Sequence, residues 1–179
     1  MRYVRAELRK LVTLPSVQLT AVLIVAATAL LRWVDAEPVP YTQAGFLVIG
    51  AFLAVDSLTA SVLAMPRRLT LHVARALTLV FAILPLATVA GSPVYLTATT
   101  VLGFAVASVV RQSLAAVLTL LGSHFVAGPV LRAASADVAA FLPDRAAWDP
   151  ATTSLTTAVA WAAAALTVST YCFVRRDAT

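Results

Sequence analysis

Charge is what this chain has least of. Only 12% of its 179 residues are Asp, Glu, Lys or Arg, and stretches such as residues 17–31 and 114–131 carry none. A water-soluble domain of this size has too small an interior to hide six such stretches, whereas a bilayer takes about 20 apolar residues per crossing. The other scarcities remove particular chemistries. A phosphate-cradling loop needs glycines followed by a lysine, and the one lysine, Lys10, has no glycine before it, which excludes ATP hydrolysis by that route within this chain. One cysteine, Cys172, excludes an intrachain disulfide. The two histidines, His72 and His124, fall on different apolar stretches from each other and from Cys172, so no ligand spacing for a metal is present. Ser123 and His124 are adjacent, and neighbours on a helix point about 100° apart, a poor arrangement for a nucleophile and its base. No catalytic, cofactor-binding or metal-ligating residue is assigned, and His124 is read as an interhelical hydrogen-bonding group or one lying near the outer water layer.

What the chain has in abundance is apolar surface. Hydrophobic residues make up 61% of it, against roughly 45–50% in soluble domains. The expected fold is an all-α integral membrane domain covering residues 1–179, with about six transmembrane helices near residues 17–34, 43–65, 69–90, 94–110, 114–131 and 153–174. Residues 1–14 place Val4, Leu8, Leu11 and Val12 on one helical face and Arg2, Arg5 and Arg9 on another, the pattern of an interfacial helix ahead of Pro15. The competing reading of a cleaved signal peptide is disfavoured, since the apolar run exceeds an ordinary signal core.

Lys and Arg are retained on the cytoplasmic side of short loops. With the N-terminus inside, Arg2, Arg5, Arg9, Lys10, Arg67, Arg68, Arg75, Arg111, Arg175 and Arg176 lie inside and Arg32, Arg132 and Arg145 outside. The expectation is a multi-pass protein of the cell (cytoplasmic) membrane with both termini in the cytoplasm. The net charge of +5 is placed to meet anionic lipid and a cytoplasmic partner, and no soluble basic surface suits nucleic acid.

Asp56 interrupts the second apolar stretch, where a charge costs about 2.5–3.5 kcal/mol at mid-bilayer. Counted from Gln43 it falls toward the inner interface, where it can hydrate or pair with a basic group; a proton relay is the sharper alternative. On the fourth span Thr99, Gly103 and Ala107 recur every four residues and form a small-residue row suited to helix packing and assembly.

Taken in order, several local patterns resemble the membrane subunit of ATP-binding-cassette exporters of the type 2 permease family. Arg5-Ala6-Glu7-Leu8-Arg9-Lys10-Leu11 resembles their basic elbow helix, with Arg5, Arg9 and Lys10 on it. Gly50-Ala51-Phe52-Leu53-Ala54-Val55-Asp56 resembles the end of their second span, and Ser61-Val62-Leu63-Ala64-Met65-Pro66-Arg67-Arg68 the cytoplasmic stretch that follows. Tyr95-Leu96 through Gly103-Phe104 to Arg111 resembles the fourth span. Phe141-Leu142-Pro143 falls where the family has short outer re-entrant helices, and Arg175-Arg176-Asp177 is similar to a common basic ending. The resemblance implies an exporter permease subunit that binds no cofactor itself, a separate cytoplasmic ATPase that binds ATP, a second permease subunit, and a coupling segment drawn from Asp56, Thr59, Ser61, Pro66, Arg67 and Arg68. Beyond Asp56 the chain departs from the family pattern: Ser57-Leu58-Thr59-Ala60 follow, with no basic residue until Arg67. An accessory membrane subunit with a degenerate coupling loop is therefore the alternative, and a proton-coupled carrier using Asp56 the third reading.

Overall fold

The computed structural model describes residues 15–56, 68–149 and 151–176, and every regular element among them is helical. In chain order these are α1 (Pro15–Trp33), α2 (Val39–Asp56), α3 (Arg68–Ala90), α4 (Pro93–Val110), α5 (Ser113–Gly122), a π-helical turn (Ser123–Ala127), α6 (Gly128–Ala134), α7 (Ala136–Ala139), a 3-10 turn (Pro143–Ala147) and α8 (Thr152–Arg176). Five helical segments are long and apolar enough to cross a membrane, with α5, the π turn and α6 forming one of them. This is a membrane protein. The elbow expected over residues 1–14 lies outside the described residues.

The second span differs most from expectation. The expected start at Gln43 lies beyond Pro38 and Pro40, but proline is well suited to a helix's first turn, where its missing N–H has no partner to lose. Helix α2 accordingly begins at Val39, with Thr42 Oγ1 donating to the Pro38 carbonyl (2.9 Å) and Gln43 Nε2 to that of Pro40 (2.9 Å). From Val39 to Asp56 it is 18 residues, a rise of about 27 Å. The rest of the expected 43–65 span lies outside the described residues.

Short connections make successive helices antiparallel. The α1–α2 and α3–α4 connections lie at one end of the bundle, here the distal end; Arg111 and Gln112 join α4 to α5 at the other, proximal end. Gly91 adopts φ +107° in the α3–α4 turn, a conformation that would strain a residue with a side chain. Arg111, at φ 59°, caps α4 and returns its N–H to the Ala107 carbonyl (2.8 Å).

Helix α4 is the centre of the bundle. Its buried positions include Tyr95, Leu96, Thr100, Gly103, Phe104 and Ala107, and α2, α3, α5 and α8 surround it. Contact with α2 is closest because each helix presents a glycine to the other's backbone. A Cβ on Gly103 would sit 2.6 Å from the Leu47 carbonyl oxygen, and one on Gly50 would strike the Thr100 carbonyl oxygen and lie 2.9 Å from Phe104 N. Lipid tails are as apolar as leucine, so close backbone approach and dispersion hold such a pair together. Helix α1 is peripheral, with Ile24 and Thr28 buried and Leu19, Val22, Leu23 and Leu30 exposed, as a lipid-facing helix requires.

Candidate functional site

The polar residues buried in this bundle form a distal and a proximal group. At the distal end, the short elements between α6 and α8 fold back against the bundle. Ser135 caps α7 by accepting from Val138 N (3.5 Å), Trp161 Nε1 on α8 donates to the Phe141 carbonyl (2.8 Å), and Trp148 meets Tyr41 edge-on with ring centres 6.4 Å apart. This brings Asp144 inside, 2% exposed, where it pairs with Arg132 of α6. The carboxylate can enter because residue 128 is glycine: a Cβ there would lie 3.1 Å from Asp144 Cγ.

Gly128 and Arg132 meet that carboxylate, and the buried His124 comes to the same side of the helix because the helix is π-wound over Ser123–Ala127. In an uninterrupted α-helix His124 and Arg132, eight positions apart, point about 80° apart; one residue absorbed in a π turn reduces this to about 20°. His124 is 5% exposed, and Asp144 lies within electrostatic range of both it and Tyr95. Tyr95 OH donates to Gln43 Oε1, whose amide group is held in turn by the Pro40 carbonyl. The site thus joins α2, α4, the α5–α6 helix and the 3-10 turn. Two of its buried atoms, His124 Nε2 and Asp144 Oδ1, have no hydrogen-bond partner.

At the proximal end His72 on α3 is buried between Phe104 and Phe173, with ring centres at 5.2 and 5.1 Å, and its Nε2 lies 3.1 Å from Ser169 Oγ. This ties α3 to α4 and α8 through a polar contact in an apolar setting. Arg75, one turn further along α3, is also buried.

Ser123 and His124 do meet, with Oγ 3.3 Å from Nδ1, contrary to the expectation from α-helical geometry. The Ser123 hydroxyl hydrogen is directed to the Leu120 carbonyl at 2.8 Å, however, so the histidine does not accept it as a base would. On α4 the hydroxyls turn back on their own helix: Thr99 donates to Tyr95 O (2.9 Å), Thr100 to Leu96 O (2.8 Å) and Ser108 to Phe104 O (2.8 Å). They satisfy themselves where no water is available.

Of the residues singled out in the sequence, Thr99, Gly103 and Ala107 are buried within the chain, with Gly103 against α2. Asp56 is the last residue of α2 and Arg68 the first of α3. Thr59, Ser61, Pro66 and Arg67 of the coupling segment, and Arg5, Arg9 and Lys10 of the elbow, lie outside the described residues. Among the described residues no three His, Cys, Asp or Glu side chains gather as a metal site would require. Sequence reasoning missed the Gln43, Tyr95, His124, Arg132 and Asp144 group. A signal was present in the four-residue spacing of His124, Gly128 and Arg132, but Asp144 reaches them only through a fold-back that spacing does not encode.

Comparison with protein-family models, curated proteins and solved structures finds no match to this chain.

Proposed function

We propose that this chain is a six-crossing permease subunit of an ATP-driven exporter, set in the cytoplasmic membrane with both termini inside, working with a separate cytoplasmic ATPase and a second permease subunit. The observation that carries the reading is the division of labour at the proximal end. Helix α2 reaches Asp56 with a rise close to the hydrocarbon thickness of about 30 Å, which leaves residues 57–67 free of spanning duty. The neighbouring proximal connection, Arg111–Gln112, is too short to dock a partner. The chain between the second and third crossings, residues 57–67, with Arg67 and Arg68 at its end, is what an ATPase could grip. The order of elements agrees: six apolar helices, with short helical turns folded back at the distal end before the last.

In this mechanism ATP-driven closure of the ATPase moves residues 57–68. The motion passes to α2 and α3 and, through the close α2–α4 contact, to the centre of the bundle. The test is a reconstituted complex carrying Arg67→Glu and Arg68→Glu, which should lower ATPase co-purification at least about tenfold if the two charges contribute about 1.4 kcal/mol. The same changes at Arg175 and Arg176 should do less, because Arg175 already lies over the Tyr171 ring, 5.0 Å from its centre. Equal losses at both sites, or none at Arg67 and Arg68, overturn the assignment of the coupling segment.

A further inference from the structure

Helix α1 is fastened to the bundle at two levels. Midway, Ile24 packs over Gly45 of α2, where a Cβ would lie 2.6 Å from Ile24 Cγ1. At the distal end Arg32 Nη2 donates to the Val89 carbonyl of α3 (2.8 Å). Below that bond a cleft of about 480 Å³ separates α1 from α3, walled by Val17 and Ala21 of α1, Ile49 and Leu53 of α2, and Ala82 and Val89 of α3. Val89 is exposed, so the cleft opens outward from the bundle. Its Val17 end stands fifteen residues from Arg32, about 22 Å along the helix, which is longer than one leaflet's share, about 15 Å, of the hydrocarbon core. Inside a bilayer no water is at hand to fill such a space, and an acyl chain fills it.

What selects among lipids lies at the distal end of the cleft. A polar pocket of about 290 Å³ adjoins it, lined by Arg32, Asp35, Glu37, Ala90 and Gly91. The two share a wall, since Val89 bounds the cleft, its carbonyl holds Arg32, and Ala90 follows it in the chain. The chain reverses at the end of α1, with Asp35 at φ 53° and the Ala36 N–H returning to the Leu31 carbonyl at 2.9 Å, which sets the acidic side chains beside the same pocket as Arg32. Among the described residues neither Asp35 nor Glu37 forms an ion pair with Arg32. Trp33, the next residue after Arg32, is 86% exposed, as an aromatic anchor at headgroup level is. Charges of both signs thus stand at the mouth of an acyl-sized cleft.

We propose that the distal end of the bundle binds one phospholipid whose headgroup carries a phosphate and a primary ammonium, with the phosphate on Arg32, the ammonium at Asp35 and Glu37, and an acyl chain in the cleft between α1, α2 and α3. A guanidinium fork suits phosphate oxygens, and carboxylates accept from the hydrogens of a primary ammonium. A trimethylated ammonium has no hydrogen to give them, and an anionic headgroup without an amine meets them as like charge. The bound lipid joins α1 to α3 along the length where the protein itself leaves them apart. The inference rests on the distal end alone and is independent of any ATPase partner.

The test uses full-length protein in micelles, with EDTA present so that no divalent cation joins the two carboxylates. It is equilibrated with phosphatidylethanolamine, phosphatidylcholine and phosphatidylglycerol of the same acyl chains, and lipid retained per chain is counted by native mass spectrometry. One phosphatidylethanolamine should be retained, at least about tenfold more tightly than either of the others. The double variant Asp35→Asn, Glu37→Gln should abolish that preference; asparagine accepts the left-handed conformation of residue 35, so the turn is kept. Arg32→Gln should weaken retention of all three lipids, and Arg32→Lys should restore part of it. Ala82→Phe, which fills the cleft, should also lower retention of all three. Equal retention of the three lipids by the unaltered protein, as a lipid of the surrounding annulus would show, overturns the site. So does a preference unchanged by the double variant, or retention indifferent to Ala82→Phe.

Discussion

Single atoms decide the tightest contacts in this bundle. Gly50 has no room for even one carbon, since a Cβ would meet the Thr100 carbonyl oxygen, whereas Gly122 has nothing within 4 Å of the corresponding position. Gly50→Ala should therefore force α2 from α4 and cost about 1–3 kcal/mol. Gly122→Ala should be neutral or stabilise by up to about 1 kcal/mol, the helix preference of alanine over glycine. Chemical unfolding of the two variants in the same micelle tests the pair; equal effects would mean that the α2–α4 contact is looser than described. Arg132→Gln should cost about 3 kcal/mol, because it leaves Asp144 buried beside no cation. Restored stability in the Arg132→Gln, Asp144→Asn double variant would identify the lost charge pairing, and not lost packing, as the cause. At this scale the sequence is partly legible. The spacing of Thr99, Gly103 and Ala107 marks a small-residue row, but its facing residue Gly50 sits in α2, and no periodicity within one helix reports what lies opposite. The expectation for that row is helix packing and assembly, and within the chain Gly103 packs against Leu47.

Helix positions were legible because apolar length is a strong signal: Pro93–Val110, Arg68–Ala90 and Thr152–Arg176 fall within two residues of the sequence expectation. The start of α2 was displaced by prolines that end a helix when met from inside but begin one when met first. The π turn was not legible, since Ser123–Ala127 has an unremarkable apolar composition and its extra residue is revealed only by what the helix must align. That origin makes a prediction. Deleting Val126, which is exposed, should let the ladder revert to α-helical while keeping Arg132 aimed at Asp144. Deleting Leu118, exposed in the regular part of α5, rotates everything beyond it by about 100° and should break that pair. Thermal unfolding should show the Leu118 deletion to be the more damaging; the reverse order would mean that the π turn does not set the register of α6.

For the whole molecule, everything turns on whether α2 crosses. Five segments qualify by length and composition, and α2 is the shorter apolar helix beside them. It falls short in length and not in apolar character; its rise of about 27 Å is close to the hydrocarbon thickness, and Phe46, Leu47, Ile49, Ala51, Leu53 and Ala54 are buried among its protein neighbours. If α2 crosses, the α1–α2 and α3–α4 turns lie on the same side of the membrane. If it does not, α3 runs the other way and the two turns lie on opposite sides. In a Cys172→Ser background, which removes the one native thiol, single cysteines placed at Asp35 and at Ser92 should react with an impermeant maleimide from the same face of sealed vesicles. A cysteine at Thr179 should react from the opposite face. Labelling of residues 35 and 92 from opposite faces would reduce the bundle to five crossings and put the C-terminal basic residues on the side that the distribution of arginines argues against.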